Sequence, residues 1–168
     1  MFFFTATINS WKPLFEEDEM KSIATTSLLW FHQNKRALIS GFVIMPNHIH
    51  LLWQPVNEFT ESANEFALLS FTGHAFKKQL TKNNPALLSE YISTQNDRDY
   101  HFWERRPRTI EMMSRKIAEQ KLDYIHNNPC QGNWNLAEQP VVYRFSSAKY
   151  YETGIDDFGF MTRYTDLI

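Results

Sequence analysis

RALISGFVIMPNHIHLLWQ, residues 36–54, reads as two β-rich runs, Arg36 to Met45 and His48 to Gln54, parted only by Pro46 and Asn47. Two runs of β-branched and aromatic residues joined by so short a polar break predict an antiparallel hairpin. Upstream, Phe2 to Ile8 is aromatic and β-branched with partial alternation, a strand that Pro13 ends. Between strand and hairpin, acidic residues from Glu16 to Glu19 favour a helix N-terminus. Met20, Ile23, Ala24, Leu28 and Phe31 then follow helical spacing, which predicts a helix over 16–33.

Downstream, a second helix is expected over 60–80, carrying Phe66, Leu69, Phe76 and Leu80. Residues 83–99 are polar and include the run STQNDRD, a mobile loop on this reading. A strand is expected over 101–108. After it, Thr109 is placed to cap a helix whose apolar stripe is Ile110, Met113, Ile117, Ala118, Leu122 and Ile125, ended by Asn127, Asn128 and Pro129. A short helix is expected near 146–151. The order strand, helix, strand, strand, helix, strand, helix predicts an α+β fold: a ferredoxin-like (RRM-like) antiparallel sheet with packed helices. With 168 residues, no internal repeat and no linker, one domain over 1–168 is expected.

Composition bounds the function classes. At 43% hydrophobic and 15% aromatic the chain has ample core material and is not disordered in character. Cys130 is the only cysteine, which excludes an internal disulfide and a cysteine-cluster metal site and suits a reducing, cytoplasmic setting. No apolar stretch reaches membrane-spanning length and the N-terminus lacks a signal-peptide pattern, so no membrane partner is expected. The formal charge of −2 does not point to nucleic acid.

Two constellations can carry chemistry. His48 and His50 are two apart on a predicted strand, so both imidazoles leave one face and can reach one ion; two hydrogen-bonded surface histidines would show the same spacing. Tyr124 and Asn128 are four apart at the end of a predicted helix and share a face. A tyrosine there serves either as a core aromatic or as a nucleophile on a phosphodiester, with the Asn128 amide oxygen completing a metal site. A helix directs His126 away from Tyr124, which suits a structural or DNA-facing role.

The runs VIMPNHIHLLW, LDYIHNNPCQGNW and RFSSAKYYETG, together with Trp11 to Phe15 and the neighbourhood of Phe102 to Glu104, resemble the single-tyrosine transposases of the HUH endonuclease superfamily. The likeness is to the branch called REP-associated tyrosine transposases and reaches from the first strand to about Tyr151. It implies an HUH-type fold, with His48 and His50 as the metal pair, Asn128 as third ligand and Tyr124 as nucleophile. It further implies Mg²⁺ or Mn²⁺, cleavage and rejoining of single-stranded DNA beside a hairpin or palindrome, and a covalent 5′-phosphotyrosine formed without ATP. Insertion-sequence relatives act as homodimers and REP-type relatives can act as monomers. After the Asn-Pro pair the family's Val-x-x-Gly-Leu is replaced here by Cys130-Gln131-Gly132-Asn133-Trp134. A domesticated, non-cleaving binder of hairpin DNA or RNA is the competing reading, and a relaxase, which normally carries further domains, is the third.

Charge is segregated along the chain: residues 71–121 hold ten Lys and Arg against six Asp and Glu, and the remainder holds seven against 13. Lys77, Lys78, Lys82, Arg98, Arg105, Arg106, Arg108, Arg115 and Lys116 are therefore expected near phosphates. Trp103, Tyr100 and Phe102 are the expected stacking partners for unpaired bases. A solvated surface face would account for the same basic residues.

Overall fold

In the computed structural model, which describes residues 1–132 and 134–168, the 36–54 stretch forms strands β2 (Ala37–Met45) and β3 (His48–Pro55), paired antiparallel with Met45 opposite His48. Asn133, within the altered run after the Asn-Pro pair, lies outside the described residues. Strand β1 (Phe2–Thr7) lies against β3 and also pairs with the short β4 (Arg108–Glu111). The sheet order is β2-β3-β1-β4, every pairing antiparallel, which is the α+β architecture expected from the element order.

Alternation along the strands sorts side chains onto two cores. Phe4, Ala6, Phe42, Ile44, Ile49, Leu51 and Trp53 face helices α1 (Asp18–Gln33) and α2 (Glu61–Asn83). Phe3, Val43, Met45 and Leu52 face α4 (Arg115–Asn127) through Ala118, Leu122 and Ile125. Gly41 makes that second contact close. A Cβ there would lie 2.7 Å from Leu122 Cδ1 and 3.3 Å from Leu52 Cβ, so the missing side chain sets how near α4 approaches β2.

Several boundaries differ from the sequence expectation. Residues 101–107 form no strand: Phe102 and Trp103 turn into the core against Phe76, a lone bridge joins Trp103 to Ile8, and Pro107 then removes a backbone donor before β4. Thr109 and Ile110 belong to β4, where period two governs, and α4 is capped instead by Ser114, whose hydroxyl accepts from the Ile117 amide. Met113 and Ile117 are accordingly exposed. On α2 Phe76 and Leu80 are buried as expected, whereas the first half of the helix buries Asn64, Leu68 and Thr72, leaving Leu69 half-buried and Phe66 in solvent. The polar segment after α2 contains a short helix, α3 (Pro85–Ser89), capped by Asn84.

The last helix, α5 (Ala148–Thr153), belongs to a tail that closes the β2 edge. Ile44 N–H donates to Phe145 O, Ser147 N–H to Phe42 O and Thr162 N–H to Ile39 O, while Phe158 and Phe160 pack on Phe42. An otherwise open strand edge is thereby covered. Among the described residues no helix is long and apolar enough to cross a membrane.

Candidate active site

His48 and His50 leave β3 on the α4 side, their rings 4.7 Å apart, and both are buried. Each is held from behind through Nδ1. His48 Nδ1 lies 2.7 Å from Asn47 Oδ1, and Asn47 Nδ2 donates to the Trp11 carbonyl, which fixes which way that amide faces. An amide oxygen only accepts, so His48 carries its proton on Nδ1 and keeps its lone pair on Nε2. His50 Nδ1 lies 2.8 Å from the Thr5 hydroxyl across the β1–β3 pairing. His50 Nε2 is buried with no hydrogen-bond partner among the described residues. Two imidazoles oriented through Nδ1, with Nε2 atoms left over, match the way proteins prepare histidines for a metal ion.

Electrostatics agrees with that use. Burial pushes the His48 pKa down to about 4 and, with the charges of His48 and Lys121 adding, that of His50 to about 3. Both rings are then neutral at physiological pH, the form that binds a metal. Among the described residues no third His, Cys, Asp or Glu joins them, so further ligands must be uncharged side chains, water or substrate oxygens.

Helix α4 carries the remaining groups. The Tyr124 ring packs edge-on to His50 at 5.2 Å and to Phe3 at 6.2 Å, while Phe3 stacks on His50 at 5.3 Å. Tyr124 is 48% exposed, so the ring touches the histidine and still meets solvent. Asn128 is the helix C-cap, its N–H bonded to the Tyr124 carbonyl one turn back, and it is buried. One turn before Tyr124, the Lys121 ammonium sits 4.8 Å from the Phe3 ring centre and 5.7 Å from that of Tyr124. Of the two roles expected for His126, its contacts are those of a structural residue: its Nε2 is 2.9 Å from Ser147 Oγ, it packs on Tyr151, and burial lowers its pKa to about 4.

A solved REP-associated tyrosine transposase bound to a REP hairpin superposes with a TM-score of 0.65, covering 94% of this chain and 82% of that one at 18% sequence identity. The chain has the fold of a REP-associated tyrosine transposase. The sequence matches no protein-family model and none of the curated proteins.

On this transposase fold the expected DNA-facing residues divide between two places. Lys77, Arg98 and Arg105 line a groove of about 720 Å³ with Tyr100, beside exposed Phe66. Arg98 and Arg105 both bind Asp97, whose carboxyl these hydrogen bonds hold down at about 2, and Lys77 lies 3.6 Å from Asp99. Lys78 and Lys82 follow along α2, on the sheet face opposite α4. Arg106, Arg108, Arg115 and Lys116 are exposed. Arg108 pairs with Thr5, which pairs with His50, so one cross-strand row runs from arginine to histidine on the site's face. Arg115 is tied to Glu119 at 3.3 Å. Trp103 and Phe102 are corrected from surface stacking residues to core: both are buried, and the Trp103 indole N–H donates to Thr72 at 3.0 Å.

Sequence reasoning missed Thr5, Asn47, Phe3, Lys121, Trp11 and Trp134 as neighbours of the site. Lys121 was findable, standing three residues before Tyr124 on one helix. Thr5 and Phe3 require the β1–β3 register, which spacing does not contain.

Proposed function

We propose that the protein is a metal-dependent transposase-type endonuclease that cleaves and rejoins single-stranded DNA beside hairpins through a 5′-phosphotyrosine. The observation that carries this reading is the half-exposed Tyr124 packed against a histidine whose Nε2 is buried and has no hydrogen-bond partner among the described residues. His48, His50 and Asn128 would hold Mg²⁺ or Mn²⁺, which supplies positive charge to the scissile phosphate and to the departing 3′-oxygen.

Tyr124 Oη attacks the phosphorus and gives its proton to solvent. A tyrosine O–P bond forms and the P–O3′ bond breaks, and the 3′-oxygen takes a proton from water. Attack by a 3′-hydroxyl reverses the exchange. One phosphodiester linkage is traded for another, so rejoining needs no nucleotide cofactor. The Lys121 ammonium, which forms no ion pair among the described residues, adds positive charge 5.7 Å from the Tyr124 ring centre. Asn47 and Thr5 hold the two rings in orientation throughout. The hairpin partner is inferred from the neighbour's bound REP hairpin.

The test uses end-labelled hairpins with single-stranded flanks, built from palindromes adjoining the coding sequence, in Mg²⁺ or Mn²⁺. The wild type is expected to give a covalent protein–DNA adduct on a denaturing gel. Tyr124→Phe is expected to lose the adduct and keep binding. Binding without any adduct in the wild type would favour the non-cleaving reading.

A further inference from the structure

Two indoles approach the His48 ring, Trp134 at 6.0 Å and Trp11 at 6.5 Å, and they differ in kind. Trp134 is partly buried against the α4-side core. Trp11 is 64% exposed, the largest exposure of any described tryptophan. Packing therefore does not account for its position.

Its backbone is also unusual. Ser10 and Trp11 both have left-handed φ, 58° and 57°, a region that disfavours residues with a side chain. Surrounding bonds enforce it. Ser10 N–H donates to Glu104 Oε1 at 2.7 Å, Trp11 N–H to Ile8 O at 2.9 Å, and Asn47 Nδ2 to Trp11 O at 3.2 Å. Asn47 is the same residue that fixes the His48 ring. One amide thus ties the Trp11 backbone to the residue that orients a candidate metal ligand, and the exposed indole lies against that ligand's ring.

An aromatic face held by its backbone in water beside a phosphodiester site suits one part of the substrate, a nucleobase. Bases within a duplex have both faces covered by their neighbours; an unpaired base offers a free face for stacking on an aromatic ring. We infer that Trp11 is a substrate-positioning residue that stacks on the unpaired base flanking the scissile phosphate and holds that phosphate over His48 and Tyr124. The inference rests on the nuclease reading above and adds to it which nucleotide is gripped and by what.

Fluorescence anisotropy on two single-stranded probes, dT12 and a fully abasic 12-mer with the same phosphates, separates stacking from charge. Wild type is expected to bind dT12 more tightly. Trp11→Ala is expected to shrink that preference about 5-fold or more, the effect of one stacked base, while leaving abasic affinity unchanged. Trp11→Phe is expected to retain most of it. Trp11→Gly is expected to melt no lower than wild type, because glycine accepts the backbone angle, yet to lose preference as Trp11→Ala does. A 5-iodouracil in the probe is expected to crosslink to Trp11. An unchanged dT12 preference in Trp11→Ala, equal weakening of both probes, or a lowered melting point for Trp11→Gly would each overturn the inference and leave the nuclease reading standing. A wild type that binds neither probe would likewise overturn the inference, whereas the nuclease reading stands or falls separately on the hairpin adduct.

Discussion

Replacing Gly41 by alanine is expected to separate stability from chemistry. The new Cβ would stand 2.7 Å from Leu122 Cδ1, 3.3 Å from Leu52 Cβ and 3.5 Å from Ile125 Cδ1. Carbon atoms rest at roughly 3.5–4.0 Å, so the Leu122 methyl must retreat by about 1 Å. Overpacking of this sort costs about 1–3 kcal/mol. Burying one methyl returns about 0.8 kcal/mol, and the less flexible unfolded chain returns up to about 1 kcal/mol. The net loss is therefore about 1 kcal/mol, too little to unfold a typical domain. Leu122 and Ile125 seat α4 on the sheet, and Tyr124 lies between them in sequence. If α4 lifts to relieve the clash, a nucleophile displaced by about 1 Å reacts on the order of 100-fold slower. Urea denaturation is expected to show the small loss, and single-turnover adduct formation at saturating Mn²⁺ the large one. Adding Leu122→Val, which withdraws the offending carbon, is expected to restore much of the rate. An alanine variant that is fully folded and fully active would refute the idea that this glycine sets the height of the tyrosine helix.

Two further outcomes are expected. Asn128→Ala removes an amide at a helix end and is expected to weaken Mn²⁺ binding by about 10-fold or more in calorimetry, with stability changed by no more than about 1 kcal/mol; unaltered Mn²⁺ affinity would make Asn128 purely structural. Metal-free protein is expected to lose stability in acid, because His48 and His126 have pKa values of about 4 and His50 about 3 when folded, against about 6.5 when unfolded. The unfolded chain takes up these protons first, so stability is full above pH 6.5 and falls towards pH 4, by up to about 1.4 kcal/mol per pH unit for each ring. Asp97, held at about 2, contributes only below that window. Denaturation midpoints that stay level between pH 6.5 and 4.5 would contradict the burial of the three imidazoles.

The fold was readable because its main elements have strong periodicity: hairpin, first strand, two long helices and their order all follow from residue pattern. Reading failed where a tertiary demand overrode local character. Phe102 and Trp103 look like strand residues at a DNA face, but Phe76 and Thr72 offer them a core and an acceptor. Thr109 looks like a helix cap, but its pairing opposite Phe4 commits it to the sheet. Spacing makes Tyr124, His48 and His50 candidates because each relation is internal to one element, but Tyr91 with Gln95 and Tyr100 with Glu104 share the tyrosine's spacing, and it is the family resemblance that chooses among them. The groups that orient and surround them come from other elements, and register decides which residues those are. Trp11 illustrates the limit: its exposure depends on two consecutive left-handed residues that are not glycine, and no composition signal announces them.

The candidate site is an extension of the hydrophobic core rather than a polar cleft cut into it. Phe3 belongs to the α4-side core and also stacks on His50; Leu122 and Ile125 belong to it and also place Tyr124. Burial among such groups keeps both imidazoles neutral, so at physiological pH a divalent ion competes with almost no proton for Nε2. The same burial leaves His50 Nε2 without a hydrogen-bond partner among the described residues, a destabilising arrangement that a bound ion would relieve. Charge and aromatic surface are confined to the rim, in Lys121, Arg108 and Trp11, where they can meet a phosphodiester without disturbing that apolar setting. On the function proposed above, this division would let a chain of net charge −2 meet a polyanion: the attraction has to act only over a few ångströms at the rim, and the acidic excess lies in sequence outside residues 71–121.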